Sequence, residues 1–236
     1  IHFVGVGGVS MRALARFCAA RGILVSGSDD AAGLDLEDLK RSGVHILPSD
    51  CTDFIGECDM VVFSAAIPYF HPQLAAARAQ HIPTLERKAF LGLLSKKFDK
   101  TVAVSGTHGK TTVTAMLCEI FSRAGMSFTG HIGGAVKGNT GGIVSCGNEW
   151  FVTEACEYNR SFLTLSPYVT AVLNLQFDHP DCYRDMDDMV AAYDALIANT
   201  SKDGCIVCSA AAERMLNLTG RRVVTFGYTR GADIYP

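Results

Sequence analysis

The stretch TVAVSGTHGKTTVTAMLCEIFSR, residues 101–123, constrains this chain more than any other. A valine-containing apolar run ends at Gly106, and a run of helical composition begins at Lys110. A strand, a tight turn and a helix fit that pattern. Backbone N–H groups of such a turn, the partial positive charge of the helix N-terminus and a lysine at the helix start together suit the β- and γ-phosphates of a nucleotide. The common phosphate loop reads G-x-x-x-x-G-K-[ST]. Here Gly109, Lys110 and Thr111 supply its end, and Val104 stands where the first glycine would be, so the loop is a shortened one. Gly106, Thr107, His108, Gly109, Lys110, Thr111 and Thr112 are the candidate phosphate-binding residues. The Thr111 hydroxyl is of the type that Mg²⁺ takes as a ligand. A chance G-K-T-T at a helix start is the plain alternative.

The same alternation of strand and helix runs through the whole chain. IHFVGV, ILVSGSD and DMVVFSAAI read as strands, followed in turn by SMRALARFCAARG, LDLEDLKRSG and HPQLAAARAQ as helices. IPTLERKAFLGLLSKKF gives a brief strand and a longer helix, and SKKFDK at 95–100 is a polar break. After TVAVSG the strands are EWFVTEA, YVTAVLNL, CIVCS and RRVVTFG, with MDDMVAAYDALIAN as a helix among them. Glycine-rich residues 130–149 read as loops and short strands. Regular alternation predicts an α/β fold with parallel, doubly wound sheets. The expected organisation is a Rossmann-like domain over 1–98 and a P-loop ATPase α/β domain over 99–236. The closing TFGYTRGADIYP reads as a strand and the start of another, so the second domain is expected to be incomplete.

Bulk properties narrow the function classes. A net charge of −3 argues against broad binding to nucleic acid or to membrane surfaces, both of which rest on basic excess. No run reaches the 18 or so apolar residues of a membrane span. Nine scattered cysteines read as free thiols of a reducing, cytoplasmic setting. Cys205 and Cys208 form a C-x-x-C, but no further ligands stand at zinc spacing, so they read as two strand residues.

A second glycine turn opens the chain. In IHFVGVGGVSM, Gly5, Gly7 and Gly8 lie between a strand and a helix, with Ser10 where the third glycine of G-x-G-x-x-G would stand. That context suits a pyrophosphate, and Asp29 at the end of the next strand suits a ribose hydroxyl. The readings left open are a nicotinamide dinucleotide site and a tight turn with no ligand. Downstream of the phosphate loop, TEACEYN and FDHPDCY each follow an apolar strand. Carboxyl ends of parallel strands share one edge, so Glu154 and His179 are candidates to reach a nucleotide's metal. Read singly, Glu154 suits a salt-bridged strand end and His179 a hydrogen-bonding or capping role.

Taken together, GVGGVSM with SGSD, SAAIP at 64–68, SGTHGKTT, and EACEYNRSFL with NLQFDHPDCY resemble the Mur ligase family over nearly the whole chain. The resemblance implies the branch that uses ATP to join L-alanine to the lactyl carboxylate of UDP-N-acetylmuramate through an acyl phosphate, in peptidoglycan precursor synthesis. It implies a first domain for the UDP-sugar and a second for ATP, with a third, amine-binding domain outside this chain that catalysis needs. By the same resemblance Lys110 and Thr111 hold phosphates and Mg²⁺, Glu154 is a Mg²⁺ ligand and His179 serves a second Mg²⁺. Asn174 and Asp178 support them, and the role of Glu157 is left open. In the first domain the resemblance assigns Gly7, Gly8, Ser10 and Met11 to the diphosphate turn, Asp29 to the nucleoside and Ser64 to the substrate. Rival readings are a sister ligase that attaches a recycled murein tripeptide to the same sugar nucleotide, and a catalytically silent UDP-sugar-binding protein.

Overall fold

The computed structural model describes residues 1–30, 36–134, 142–228 and 230–236. The chain forms two compact units, Ile1–Phe90 with Gly133–Ile143, and Leu91–Ile132 with Val144–Pro236.

The first unit is built on a five-stranded sheet. β1 (His2–Val4) leads into α1 (Val9–Ala20), and β2 (Val25–Ser28) precedes the short α2 (Glu37–Arg41) and β3 (Val44–Ile46). β4 (Val61–Phe63), α3 (Pro72–Ala79) and β5 (Thr84–Glu86) complete it, and α4 (Arg87–Ser95) runs out of this unit into the next. The strand order is β3-β2-β1-β4-β5, and each neighbouring pair is parallel. This is the order of a Rossmann-type half, in which the chain reverses direction beside β1. Apolar residues explain the layer: Phe3, Val61 and Val62 from the strands and Leu14 and Ala15 from α1 are all fully buried. One polar cluster sits inside that core. His2 Nδ1 meets Ser26 Oγ at 2.8 Å, His2 Nε2 meets Gln73 Oε1 at 3.1 Å, and Ser28 Oγ donates to Gln73 Oε1 at 2.6 Å. Gln73 in turn donates to the carbonyls of Pro48 and Cys51. Burial pushes the His2 imidazole down to about 4, so this ring is neutral at pH 7.

The second unit holds a seven-stranded sheet. β6 (Lys100–Ser105) is followed by α5 (Lys110–Arg123), β7 (Phe128–His131), β8 (Ile143–Ser145) and β9 (Trp150–Glu154). A 3-10 segment over Tyr158–Thr164 leads to β10 (Val169–Val172), α6 (Met186–Asn199), β11 (Cys205–Ser209), α7 (Ala210–Glu213) and β12 (Val223–Phe226). The order is β12-β11-β10-β6-β9-β7-β8. β6, the strand before the phosphate loop, lies between β10 and β9 and is parallel to both. The carboxyl ends of these three strands therefore share an edge, and that edge carries the loop, Glu154 and the segment leading to His179. One expectation needs refinement: β3 and β7 are not among the strands that the sequence pattern names. The glycine-rich span holds the short strand β8, as expected, and its residues 135–141 lie outside the described residues. Cys205 and Cys208 both lie in β11, and all nine cysteines are free. Burial holds the thiols of Cys18 and Cys208 at about 11 and that of Cys118 at about 12, which makes them inert packing groups at neutral pH.

Candidate active site

The phosphate loop is shaped by two glycines. Gly106 has φ +135°, and a β-carbon there would come within 3.1 Å of the Asn174 backbone and the Leu173 side chain. Gly109 caps α5 in the left-handed region, at φ 88°. Glycine enters that region without the penalty that a side chain brings. The loop turns sharply, and the first N–H groups of α5 face out beyond it.

Partners far along the sequence brace this loop. Asn174 Oδ1 accepts from the His108 N–H at 2.8 Å, and Asn174 Nδ2 donates to the His108 carbonyl at 2.9 Å. Thr107 Oγ1 donates to the Gln176 carbonyl at 2.9 Å and accepts from the Gln176 N–H at 3.0 Å. With the Thr107 N–H donating to the Asn174 carbonyl at 3.3 Å, five hydrogen bonds tie the loop to the segment after β10. Asn174 and Leu173 also line an 840 Å³ cavity at the ends of β10, β11 and β12, walled further by Ala210, Arg214, Phe226 and Ile234.

The charged residues converge around Lys110. Its ammonium donates to Gly106 O at 2.6 Å, to Thr107 O at 3.2 Å and to Glu157 Oε1 at 2.8 Å. Thr111 Oγ1 donates to Glu154 Oε2 at 3.0 Å. His179 Nε2 lies 3.6 Å from Glu157 Oε1 and 3.7 Å from Asp178 Oδ2. Glu157, Asp178 and His179 each offer a ligand atom within 4.8 Å of the others. Lys110, Thr111, Glu154 and His179 are therefore brought to one place, together with Asp178 and Glu157. Thr112 is exposed on the first turn of α5, and no partner is described for its side chain.

Backbone strain is concentrated here. His179, Asn159 and Arg160 have φ of 56°, 50° and 51°. Left-handed backbone at a residue with a side chain costs roughly 1–3 kcal/mol and persists where neighbours over-determine it. His179 is so held: its N–H donates to Asp178 Oδ1, and its carbonyl accepts from the N–H groups of Cys182 and Tyr183. The Glu157 carbonyl accepts from the Arg160 N–H and from Tyr183 Oη, the latter at 2.6 Å. Burial raises the Tyr183 phenol to about 12, so it remains a donor. The sequence leaves the role of Glu157 open, and its pairing with Lys110 is a finding of the fold. The family resemblance gives Asn174 a supporting role and the loop pattern makes Thr107 a phosphate-binding candidate; Gln176 and Tyr183 acquire their roles only in the fold.

In the first unit the glycine turn is also assembled. Gly5 has φ +78°, and a β-carbon there would lie 3.2 Å from Ser64 Cβ, which places Ser64 beside the turn. The Gly7 N–H donates to Asp29 Oδ2 at 2.7 Å, and Arg12 Nε donates to the Gly7 carbonyl at 2.9 Å. Asp29 thus has a local partner in the turn itself. Gly8 is the N-cap of α1. The Met11 side chain is buried in the core, so what it can offer the turn is its N–H. Ser10 Oγ accepts from Arg87 Nη1 at 3.3 Å. Arg87 is a cation at this turn that the sequence did not single out.

A parallel sheet with a glycine-lysine-threonine loop on its carboxyl edge, beside carboxylates and a histidine, is the arrangement of an α/β protein of the phosphate-loop class. Comparison with known proteins gives the family. The family description "Mur ligase family, catalytic domain" matches residues 1–99, and "Mur ligase middle domain" matches residues 104–235. The chain belongs to the Mur ligase family. It is 37% identical over 230 residues to the UDP-N-acetylmuramate–L-alanine ligase of Acetivibrio thermocellus, covering 96% of this chain and 49% of that protein. Its fold is similar to the crystal structure of UDP-N-acetylmuramate–alanine ligase from Thermotoga maritima, at a TM-score of 0.79 and 27% identity, over 96% of this chain and 52% of that one. It also superposes, at a TM-score of 0.84, on a UDP-N-acetylmuramate:L-alanyl-γ-D-glutamyl-meso-diaminopimelate ligase from Neisseria meningitides; that pair is 23% identical, over 98% of this chain and 78% of the other, and shows the fold alone. The chain spans about half the length of the curated relatives it matches.

Proposed function

We propose that this chain carries the UDP-sugar-binding part, residues 1–98, and the ATP-binding part, residues 99–236, of a ligase that joins L-alanine to the lactyl carboxylate of UDP-N-acetylmuramate. The observation that carries the reading is the likeness, at 34–37% identity over nearly all of the chain, to proteins named for that reaction. The convergence of Lys110, Thr111, Glu154 and His179 supplies the matching chemistry.

A free carboxylate is a poor electrophile, because oxide is a bad leaving group. The proposed route moves the γ-phosphoryl group of ATP onto the lactyl carboxylate. The L-alanine amine then attacks the acyl phosphate, and phosphate departs from the tetrahedral intermediate. No protein nucleophile is needed. Alignment and neutralisation of gathering negative oxygens are. The loop N–H groups and the Lys110 ammonium hold the phosphates. Thr111 Oγ1 and the Glu154 carboxylate, 3.0 Å apart, are the hard oxygen donors that Mg²⁺ prefers, so the residues present fit the ion. His179, with Asp178 and Glu157 beside it, is the position for a second ion. Bound there, Mg²⁺ would spread the charge of the phosphates during transfer. In the first unit, the glycine turn with Ser10, Ser64 and Arg87 would take the diphosphate of the sugar nucleotide.

The test is a chimera in which residues 1–236 replace the matching half of a full-length relative. Phosphate release that requires both UDP-N-acetylmuramate and L-alanine supports the reading. Release with the sugar nucleotide and a murein tripeptide, but not with alanine, would transfer it to the sister ligase.

A further inference from the structure

An ammonium has three N–H donors. Lys110 spends all three within this site, two on carbonyls of its own loop and one on Glu157. Glu157 is 1% exposed, and its Oε2 is buried without a hydrogen-bond partner among the described residues. A buried carboxylate in a polyanion site is costly unless a cation faces it. Any phosphate that takes over Lys110 also removes that cation from Glu157 and sets its own negative oxygens beside the abandoned carboxylate. His179, 3.6 Å away, and a divalent cation shared with His179 and Asp178 are the groups that can then neutralise it.

We propose that Glu157 is a positioning residue that makes nucleotide binding conditional on a divalent cation: it competes with phosphate for Lys110 until a metal ion takes over the carboxylate. The proposal rests on the nucleotide reading above and adds to it a role for the second glutamate of E-A-C-E. The site is set to reject metal-free nucleotide through like-charge repulsion, which is strong where water is excluded. The backbone bonds at residue 157, from Arg160 and Tyr183, do not involve its side chain, so Glu157→Gln keeps the local frame.

The experiment is calorimetric titration of ATP into the chain, once with Mg²⁺ and once with EDTA. The unaltered chain should bind the Mg²⁺ complex at least about tenfold more tightly than free ATP, a gap that one close charge repulsion readily produces. Glu157→Gln should bind free ATP about tenfold more tightly than the unaltered chain and so close most of the gap, whereas Glu157→Asp, which keeps the charge, should preserve it. A Glu157→Gln chain that folds, by circular dichroism, and keeps the full gap overturns the proposal alone. Failure of the unaltered chain to bind even the Mg²⁺ complex overturns the nucleotide reading and this proposal with it.

Discussion

Lys110 and Glu157 form a pair whose members depend on each other. The carboxylate is 1% exposed and the lysine 16%, so removing the cation leaves a charge in a place with little water. Breaking a buried pair from one side costs about 3–5 kcal/mol in general, and the lysine's partial exposure reduces that here. Lys110→Ala should therefore lower stability by roughly 2 kcal/mol, and adding Glu157→Gln should restore most of the loss. Denaturant unfolding of the two single variants and the double variant measures the coupling, and additive losses would show that the pair is not energetically linked. The residue scale is also where the sequence was least complete. It marked Lys110, Thr111, Glu154 and His179 as types suited to phosphate and metal, because Lys110 and Thr111 open a helix, Glu154 ends a strand and His179 follows one. It could not show that Lys110 closes on Glu157, 47 positions later, or that Asn174 grips both the N–H and the carbonyl of His108 across 66 positions. Such pairings follow from strand order, and neither spacing nor composition encodes strand order directly.

Elements were far more legible. The stretches MDDMVAAYDALIAN and CIVCS coincide with α6 and β11, because caps and breakers bound them. Asp185 accepts from the Asp188 N–H at the start of α6, and Gly204 precedes β11. β3 escaped because it has three residues at a sheet edge, with His45 exposed between Val44 and Ile46. β7 escaped because FTGH carries a glycine and a histidine; a side chain at Gly130 would collide with Cys118 Sγ, so packing against α5 selects the residue that breaks the apolar pattern. β1 gives a pH prediction. Its His2 is held at about 4 by burial, against 6.5 in the unfolded chain. As pH falls below about 6.5 the unfolded chain takes up the proton first, so stability is full above that pH and is lost progressively down to about 4. The total is on the order of 3 kcal/mol. His2→Gln removes the titrating group, so the difference in unfolding free energy between it and the unaltered chain should shrink from pH 7 to pH 4.5. A constant difference would mean that the ring is not buried neutral.

At the scale of the molecule, two α/β units each place a glycine turn after a strand of a parallel sheet. The alternation of apolar runs with helical ones foretold that architecture, since parallel strands need crossover connections and the helices between them supply these. It could not foretell that the phosphate-loop strand lies between β10 and β9, and that placement is what gathers the loop, Glu154 and the His179 segment on one edge. The account as a whole stands on that gathering being a site for nucleotide phosphates. Calorimetric titration of Mg²⁺–ATP into the chain and into Lys110→Ala, with the fold of the variant verified by circular dichroism, tests it most directly. The account predicts saturable binding to the unaltered chain and a loss of at least about tenfold in affinity in the variant, the effect of one charge-assisted phosphate contact. Equal affinity in the two folded proteins would contradict it.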